Sequence, residues 1–474
     1  MQERPVGSSA DRRADERRYR DDESITNQTE ETILDQRFRY FVGIDWGTQT
    51  HCVVLLDGEG RAIEQYNVAH SGEGLFTLVE RLKQRTDCKP VEVAVAVEVA
   101  WGALVETLVE NGFSLFSINP KQVDRFRDRH TVAGAKDDSR DALVLATSLR
   151  TDRKSYKRVE VESPEIIRLR ELSRFEEELK AELRRATNRL WQQLHRYYPQ
   201  MLSLSPAADD RFIWSLLSEA PTPAEGANIS RIHVERILAT HRIRKFTADE
   251  VLSTLKATPL VLAPGAGEAA AEHVLLLLPQ IRLLDQQLRD VSRRIGQILS
   301  TLAKSNAEDG ALPSDASLIL SIPGIGSAVA STLLTEGSRP VRERDYQALR
   351  CYSGTAPITK QSGKRKTIIM RNACSGRLRK AVYHWASTSI NCDSRSRQQY
   401  DALRASGHHH ARALRGLADR LLGILVSMLN TRRLSATCAG NPLLQRRVSA
   451  SAVPRTATIW PVNTSRQPPR SMLL

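Results

Sequence analysis

The chain of 474 residues has no apolar run long enough to cross a membrane and no closely spaced pair of cysteines. A membrane helix needs roughly 20 consecutive apolar residues, and no window of this sequence supplies them. The N-terminus, which begins Met-Gln-Glu-Arg-Pro, lacks the apolar core of a secretory signal. The six cysteines stand far apart without a Cys-x-x-Cys pair, which argues against a structural zinc site and a disulfide scaffold. We therefore predict a protein of the reducing cytoplasm.

Charge is abundant in both signs, with an excess of the positive. The sequence holds 69 Lys and Arg against 55 Asp and Glu, a formal net charge of +14. The isoelectric point is about 9.7. An excess of this size in a chain long enough for several cores favours a polyanionic partner such as nucleic acid.

Composition divides the chain into five segments, and no internal repeat is found. Charged residues without apolar periodicity predict a disordered extension at the start. Short apolar runs then predict strands, apolar-periodic stretches predict helices, and Arg, Ser, Pro and Thr dominate a flexible basic tail. The predicted boundaries are 1–36 for the extension, 37–155 for the strand-bearing domain, 156–310 for a helical arm with an inserted module at 201–272, 311–430 for a C-terminal domain and 431–474 for the tail.

The strand-bearing domain opens with a predicted hairpin and continues with alternating helices and strands. Strands are predicted at 39–45, 51–57, 61–70, 91–99 and 113–118, with helices at 71–86 and 104–110. A right-handed crossover lays the fourth strand parallel to the first, so that their carboxyl ends lie side by side. This order predicts a mixed α/β sheet of the ribonuclease-H type.

Two long helical stretches, 164–200 and 273–304, flank the inserted module. Ser163 and Pro164 suit the start of the first helix, and Pro279 predicts a kink in the second or its true beginning. We expect the two to pair antiparallel as a coiled-coil arm with a dimer surface. A packed helical domain without that role is the alternative.

Four acids in the strand-bearing domain form the first chemical constellation. Asp45 ends the first strand, Glu98 stands near the end of the almost wholly apolar fourth, and Asp138 and Asp141 are three apart on one face of a helix. Carboxylates gather the hard divalent cations that phosphodiester chemistry uses. Each acid also has an ordinary explanation: a turn for Asp45, a polar strand end for Glu98, and a helix cap for Asp138.

Asp45 has a competing functional interpretation. An Asp-x-Gly-Thr turn after a first strand, here Asp45 to Thr48, can cradle ATP phosphate in the actin and sugar-kinase fold. That fold also requires a second glycine-rich phosphate hairpin and an adenosine loop, and neither is found in the sequence.

The C-terminal domain is predicted to be helical and to contact nucleic acid. The loop Ile322-Pro-Gly-Ile-Gly326, with Gly324 and Gly326, is similar to a helix-hairpin-helix element whose amides approach a phosphate. The basic residues predicted to hold the backbone of nucleic acid are Lys360, Lys364, Arg365, Lys366, Arg371, Arg377, Arg379 and Lys380.

Ser362 lies among these cations and is a candidate nucleophile. A serine hydroxyl attacks poorly unless positive charge or metal stabilises its alkoxide and the phosphate. An ordinary polar loop is the alternative, and Ser353 and Ser375, each also followed by glycine, are rivals.

Together the motifs resemble the DEDD transposases typified by insertion sequence one-ten, with a RuvC-like N-terminal domain and a C-terminal transposase domain. The resemblance covers residues 39–150 and 273–430. It rests on the order of Gly43-Ile-Asp-Trp-Gly, the strand ending in Glu98, Ser117-Ile-Asn-Pro, Lys136-Asp-Asp-Ser-Arg-Asp-Ala, Ile322-Pro-Gly-Ile-Gly, Gly354-Thr-Ala-Pro with Gln361-Ser-Gly, and Arg377-Leu-Arg-Lys-Ala-Val-Tyr.

The resemblance implies a function and a set of partners. Asp45, Glu98, Asp138 and Asp141 become a tetrad that binds Mg²⁺, and Ser362 attacks a DNA phosphodiester to form a covalent link that retains the bond energy. It also implies a composite site between protomers, hence a homodimer or homotetramer, and a structured guide RNA from the element. Ser353 falls at a small-residue position and loses its claim.

Two departures accompany the resemblance. Glu98 is followed by Val-Ala-Trp-Gly where relatives usually show a small-Thr-Gly turn, and Asp137 stands where a Thr is common and competes as a ligand. We therefore predict a DNA transposase or recombinase, with a catalytically silent nucleic-acid-binding relative and a junction nuclease as alternatives.

Overall fold

The computed structural model describes residues 38–118, 120–130, 137–160, 162–304, 312–363 and 365–434. The predicted N-terminal extension, nearly all of the basic tail, and Lys364 lie outside these ranges. The chain divides after Glu162 into two compact units. No helix within the described ranges is both long and apolar enough to cross a membrane.

The first unit is built on a six-stranded sheet of order β3-β2-β1-β4-β5-β6. Its strands are β1 (Tyr40–Asp45), β2 (Thr50–Asp57), β3 (Ala62–Ala69), β4 (Val93–Val97), β5 (Ser114–Ser117) and β6 (Lys157–Arg158). β2 pairs antiparallel with β3, which confirms the predicted hairpin, and β1 pairs parallel with β4, as the predicted crossover requires. β1 also pairs antiparallel with β2. β4 is shorter than predicted because Pro90–Glu92 forms a 3-10 turn before it.

Helices cover both faces of this sheet. They are α1 (Gly72–Arg85), α2 (Ala103–Glu110), α3 (Pro120–His130) and α4 (Asp138–Thr151). Side chains alternate along a strand, so one face of β1 and β4 joins the core with α1 and α2. The other face, with Phe41, Ala94 and Ala96, packs against α4. Burial on both faces explains why β4 reads Val-Ala-Val-Ala-Val.

The second unit is largely helical. Its helices are α5 (Pro164–Tyr197), α6 (Gln200–Leu204), α7 (Arg211–Glu219), α8 (Pro223–Asn228), α9 (Arg231–Thr240), α10 (Ala248–Leu255), α11 (Ala266–Lys304), α12 (Asp315–Leu320), α13 (Ser327–Thr335), α14 (Ser338–Arg342), α15 (Tyr346–Tyr352), α16 (Gly376–Cys392), α17 (Ser394–Ala405) and α18 (His410–Thr431). The second unit also contains an exposed two-stranded hairpin, formed by β7 (Ile358–Ser362) and β8 (Arg365–Ile369).

The long helices α5 and α11 pack along each other. Ser292 donates to Glu176 over 2.6 Å, and Arg189 donates to Gln280 over 3.4 Å. The later residue of α5 contacts the earlier residue of α11, so the two helices run antiparallel, as predicted. Pro279 lies inside α11, so it does not mark the beginning of the helix.

Candidate functional site

Asp45 and Glu98 lie at the ends of neighbouring parallel strands. The register pairs Ile44 with Val97, so the two acids follow directly paired residues, with strands about 4.8 Å apart. Alternation along the strands places both acids on the face that carries Phe41, Ala94 and Ala96, the face that α4 covers. Both carboxylates are half-buried. The sheet therefore brings these two predicted acids together.

Helix α4 brings the other two acids to the same edge. Gly43 in β1 lies so close to α4 that a Cβ there would overlap the backbone carbonyl of Ala142 and lie 2.6 Å from the Ala146 nitrogen. That contact seats the first turn of α4 beside the end of β1. Asp141 is buried at 2% exposure, whereas Asp138 faces solvent.

Asp137 forms the N-cap of α4 in place of Asp138. Its carboxylate accepts from the backbone N–H of Ser139 at 3.3 Å and from the Ser139 hydroxyl at 2.7 Å. These hydrogen bonds lower the pKa of Asp137 below its ordinary value. One carboxylate oxygen of Asp137 accepts from the backbone and the other from the hydroxyl. The capping role therefore accounts for an aspartate at this position without a metal.

Cys52 lies next to Asp45 in the sheet. It pairs with Asp45 across β1 and β2 and is buried on the α4 side. Burial raises the pKa of the Cys52 thiol, and the negative charges of Asp45, Asp138 and Asp137 raise it further. Cys52 thus lies beside Asp45 on the face of the sheet that α4 covers.

Arg127 of α3 occupies part of this acidic edge. Its Nε donates to Asp141 Oδ1 over 2.7 Å, and its Nη1 donates to Asp124 over 3.0 Å. Among the residues that the structure describes, no three His, Cys, Asp or Glu side chains are gathered as a metal-binding group. Carboxylate oxygens are ligands that Mg²⁺ accepts, so the four acids fit the ion in chemical type. One of them, Asp141, is bonded to Arg127.

His51 supports the turn that follows Asp45. The backbone N–H of Gly47 donates to His51 Nδ1 over 3.3 Å, which leaves the ring proton on Nε2, 2.9 Å from His70 Nδ1. Burial, followed by the charge of His70, lowers the pKa of His51. A Cβ on Gly47 would overlap the carbonyl of Thr50, so this glycine is required by a tight turn between β1 and β2.

Ser362 lies at the tip of the β7–β8 hairpin and is exposed. Gly363 follows it with a φ of +56°, a conformation that suits a two-residue hairpin loop. The rival serines have structural roles: Ser353 is fully buried, and Ser375 caps α16 by accepting from Leu378 N–H. Of the three Ser-Gly candidates, Ser362 is exposed, Ser375 is half-buried and Ser353 is buried.

The residues that lead into the hairpin are held by Asp419 of α18. Arg350 donates to the two oxygens of Asp419 over 2.9 and 2.7 Å, and the Thr355 hydroxyl donates to the same carboxylate over 3.1 Å. Thr355 belongs to the Gly354-Thr-Ala-Pro357 motif directly before β7. The carboxylate therefore fixes the base from which the hairpin projects.

The glycine loop between α12 and α13 is packed against α16. Gly324 has a φ of +83°, and a Cβ there would lie 2.6 Å from the Ser389 hydroxyl oxygen. The indole of Trp385 donates to the Pro323 carbonyl over 3.1 Å. A Cβ on Gly326 would meet nothing within 4 Å. Internal packing thus explains the glycine at position 324. At Gly326, where α13 starts, no packing contact requires a glycine.

The predicted backbone-contacting cations have different surroundings. Lys360, Arg365 and Lys366 are exposed on the hairpin. Arg377 lies 2.9 Å from Glu177 and 3.2 Å from Glu336, and Lys380 lies 2.9 Å from Glu177. The pairs with Glu177 join α16 to α5, and the pair with Glu336 joins α16 to the end of α13. The Nε donors of Arg371 and Arg379 are buried and meet no acceptor within the described residues, although Arg379 also donates to the Arg371 carbonyl.

The mixed sheet, the acids after β1 and β4, and the acidic first turn of α4 fit the class of DEDD, RuvC-like domains. Two family models match the chain. A DEDD model of the IS110 type, described as "Transposase", matches residues 42–199, and the model of the "Transposase IS116/IS110/IS902 family" matches residues 316–401.

Individual relatives agree with these matches. The candidate mini-circle transposase for IS117 of Streptomyces coelicolor is 30% identical over 85% of this chain and 97% of its own length. A 44.8 kDa protein of insertion element IS116 from Streptomyces clavuligerus is 28% identical over 84% of this chain and 96% of its own. A candidate transposase of Sinorhizobium fredii, y4uE, is 45% identical over 46% of this chain and 61% of its own.

The chain therefore belongs to the IS110/IS116/IS902 family of insertion-sequence transposases, enzymes that cleave and transpose DNA. The predicted resemblance is confirmed. Three residues of the site were missed from sequence: Arg127, His51 and Asp419. Only His51 carried a signal, as a histidine at the start of an apolar run. The other two are separated from their partners by 14 and 69 residues.

Proposed function

We propose that this transposase cuts and rejoins DNA by two groups of residues, the acidic edge of the sheet and the serine of the hairpin. The observation that carries the proposal is the placement of Asp45 and Glu98 on the face that α4 covers with Asp138 and Asp141. These acids would supply carboxylate oxygens, the ligands that Mg²⁺ takes in proteins, with Asp141 exchanging its bond to Arg127 for the ion.

Asp45, Glu98, Asp138 and Asp141 would hold Mg²⁺. The ion, when bound, supplies positive charge to the oxygens of a phosphodiester under attack. The chain's own part is to supply oxygen ligands and to hold them on rigid elements. The packing of Gly43 on Ala142 orients α4, and the His51 bond to Gly47 fixes the turn after Asp45.

Ser362 is proposed as the nucleophile. Its oxygen forms a bond to the phosphorus of a DNA phosphodiester while the bond to one deoxyribose oxygen breaks. The serine proton is lost to solvent or a nearby base, and the displaced sugar oxygen takes up a proton. The number of phosphoester bonds is conserved, so a free DNA hydroxyl can later reverse the exchange at a new end.

The basic residues around the hairpin are proposed to hold the DNA backbone. Lys360, Arg365 and Lys366 are exposed around Ser362. Arg371 and Arg379 bury their Nε atoms, so they would contact DNA only through their other guanidinium nitrogens. Such contacts strengthen binding in a salt-dependent way without reading sequence. Arg377 would contact DNA only by leaving Glu177 and Glu336, and Lys380 only by leaving Glu177.

The test is formation of a covalent protein–DNA adduct. Full-length protein is incubated with DNA carrying the element ends and Mg²⁺, and adducts are resolved by denaturing electrophoresis. We expect an adduct with wild type and none with Ser362→Ala or Asp45→Ala, with circular dichroism confirming folding.

The alternatives give other results in that experiment. Strand cleavage that survives Ser362→Ala would indicate a junction nuclease that uses the acids alone. DNA binding without cleavage by wild type would indicate a catalytically silent relative. Mg-ATP hydrolysis in the absence of DNA would indicate the phosphate turn at Asp45.

A structured guide RNA and a dimer or tetramer are further proposals that follow from the family resemblance. We expect RNA of defined sequence to copurify with the protein and to be required for adduct formation. Sequencing of that RNA, and mass photometry with and without nuclease treatment, would measure both. Full activity of a nuclease-treated monomer would contradict them.

A further inference from the structure

Arg127 and Asp141 form a charged pair at the acidic edge, and neither residue's partnership follows from the family motifs. Arg127 Nε lies 2.7 Å from Asp141 Oδ1, and the Asp141 side chain is only 3% exposed. The Nη1 atom of Arg127 lies 3.0 Å from Asp124 Oδ1, and the Asp124 side chain is 63% exposed. One guanidinium thus joins the buried acid of α4 to a surface acid of its own helix.

A buried carboxylate needs a compensating positive charge. An ionised acid taken out of water without a partner is strongly destabilising, and Asp141 meets that need with Arg127. An arginine guanidinium keeps its positive charge in proteins, so Arg127 supplies that charge to Asp141 through the 2.7 Å contact.

A divalent cation at Asp141 would require the same carboxylate. Arg127 and the cation are both positive, so their mutual repulsion at close range opposes simultaneous binding. We propose that Arg127 is the resident counter-ion of the acidic edge and competes with the metal for Asp141. When Arg127 leaves Asp141, its guanidinium keeps Asp124 as an anionic partner at the surface.

This inference rests on the proposed function in one respect, because it takes Asp141 as a metal ligand. It adds a consequence that the tetrad alone does not have: metal affinity is set below the value that the carboxylates would give by themselves. A purely structural pair that fastens α3 to α4 makes the opposite prediction, since loosening α4 would weaken any metal site.

The experiment is a titration of the full-length protein with Mn²⁺ in the absence of DNA, followed by calorimetry. The variants are Arg127→Gln, Arg127→Lys and Asp141→Asn, with Arg125→Gln as a matched control. Arg125 is an exposed arginine two residues earlier on α3. We expect Arg127→Gln to bind Mn²⁺ about tenfold more tightly than wild type, Arg127→Lys to fall between them, and Arg125→Gln to match wild type.

Equal or weaker binding by both folded Arg127 variants, with Asp141→Asn impaired, would overturn the competition while leaving the metal site intact. Absence of saturable Mn²⁺ binding in every variant would overturn the metal role of the carboxylates and the competition with it. Thermal unfolding without metal checks folding, and Arg127→Lys keeps the test valid if Arg127→Gln is unstable.

Discussion

Arg365 lies directly opposite Ser362 across the β7–β8 hairpin. The register pairs Ser362 with Arg365, whereas the neighbouring Lys366 pairs with Gln361. Directly paired residues share one face of a hairpin and the next pair takes the other face. The serine and Arg365 therefore project together, and Lys366 projects away from them.

This difference predicts distinct effects for two adjacent basic residues. Under single-turnover conditions at saturating protein, Arg365→Ala is expected to slow adduct formation about 100-fold, as for loss of one charge-stabilising group. Lys366→Ala is expected to keep that rate and to reduce the salt dependence of DNA binding by a slope of about one. The same loss of rate in both variants would show that hairpin face is irrelevant.

Gly43 is the closest approach between β1 and α4. In Gly43→Ala the new methyl group would overlap the Ala142 carbonyl, so α4 must move. Overpacking against backbone in a buried layer should cost at least about 3 kcal/mol of unfolding free energy. Urea denaturation followed by circular dichroism measures it, and metal affinity should fall as Asp138 and Asp141 shift.

Gly72 supplies the matched control for that variant. It begins α1 in the same unit, and a Cβ there would meet nothing within 4 Å. Gly72→Ala should change stability by no more than about 0.5 kcal/mol. A large loss in this variant would mean that the glycine effect is not one of packing.

Asp419 should matter for both stability and the hairpin. In Asp419→Ala, Arg350 and Thr355 lose a shared acceptor, and Arg350 is left three-quarters buried. We expect a loss of about 2 kcal/mol, measured by chemical denaturation. Glu235→Ala, which removes a surface ion pair of Arg231, should change stability by less than about 0.5 kcal/mol. Equal effects would contradict the role assigned to Asp419.

His241 gives the second unit a pH-dependent contribution to stability. Its Nε2 lies 2.8 Å from the Ser215 hydroxyl, and burial, then the charges of Arg211 and Arg282, lowers its pKa. The unfolded chain therefore binds a proton at a pH where the folded chain does not, and the unfolding free energy falls as pH drops through the ordinary histidine range.

His241→Gln removes this titration while keeping a polar group near Ser215. We expect the loss of stability between about pH 7.5 and about pH 5.5 to be smaller in the variant than in wild type. Paired denaturation curves at the two pH values give the difference. An identical loss in both proteins would show that His241 contributes nothing to the pH dependence.

Elements with a strong local pattern were predictable. Three elements lie within a few residues of their predicted bounds: the hairpin of β2 and β3, the capped helix α1 between Ser71 and Thr86, and helix α5 beginning at Pro164. In each case apolar periodicity and a capping or turn residue agree. Pro279 was ambiguous, since tertiary packing of α11 against α5 decides whether a helix tolerates a proline.

The details of the site were less accessible. Asp137 and Asp138 are adjacent and chemically identical, so the sequence could not decide which caps α4. The faces of the β7–β8 hairpin depend on a register that a two-residue loop sets. Arg127 looked like any helix cation among several on α3.

By itself, the sequence determined the order of the elements, the chemical type of the site and the family, because periodicity, strand-end acids and ordered motifs are local properties of the chain. Only the tertiary structure decided which groups meet: Asp45 beside Glu98, Gly43 against Ala142, Arg127 on Asp141. Those contacts join residues far apart in sequence, and their energies depend on burial and distance, which no single stretch of residues encodes.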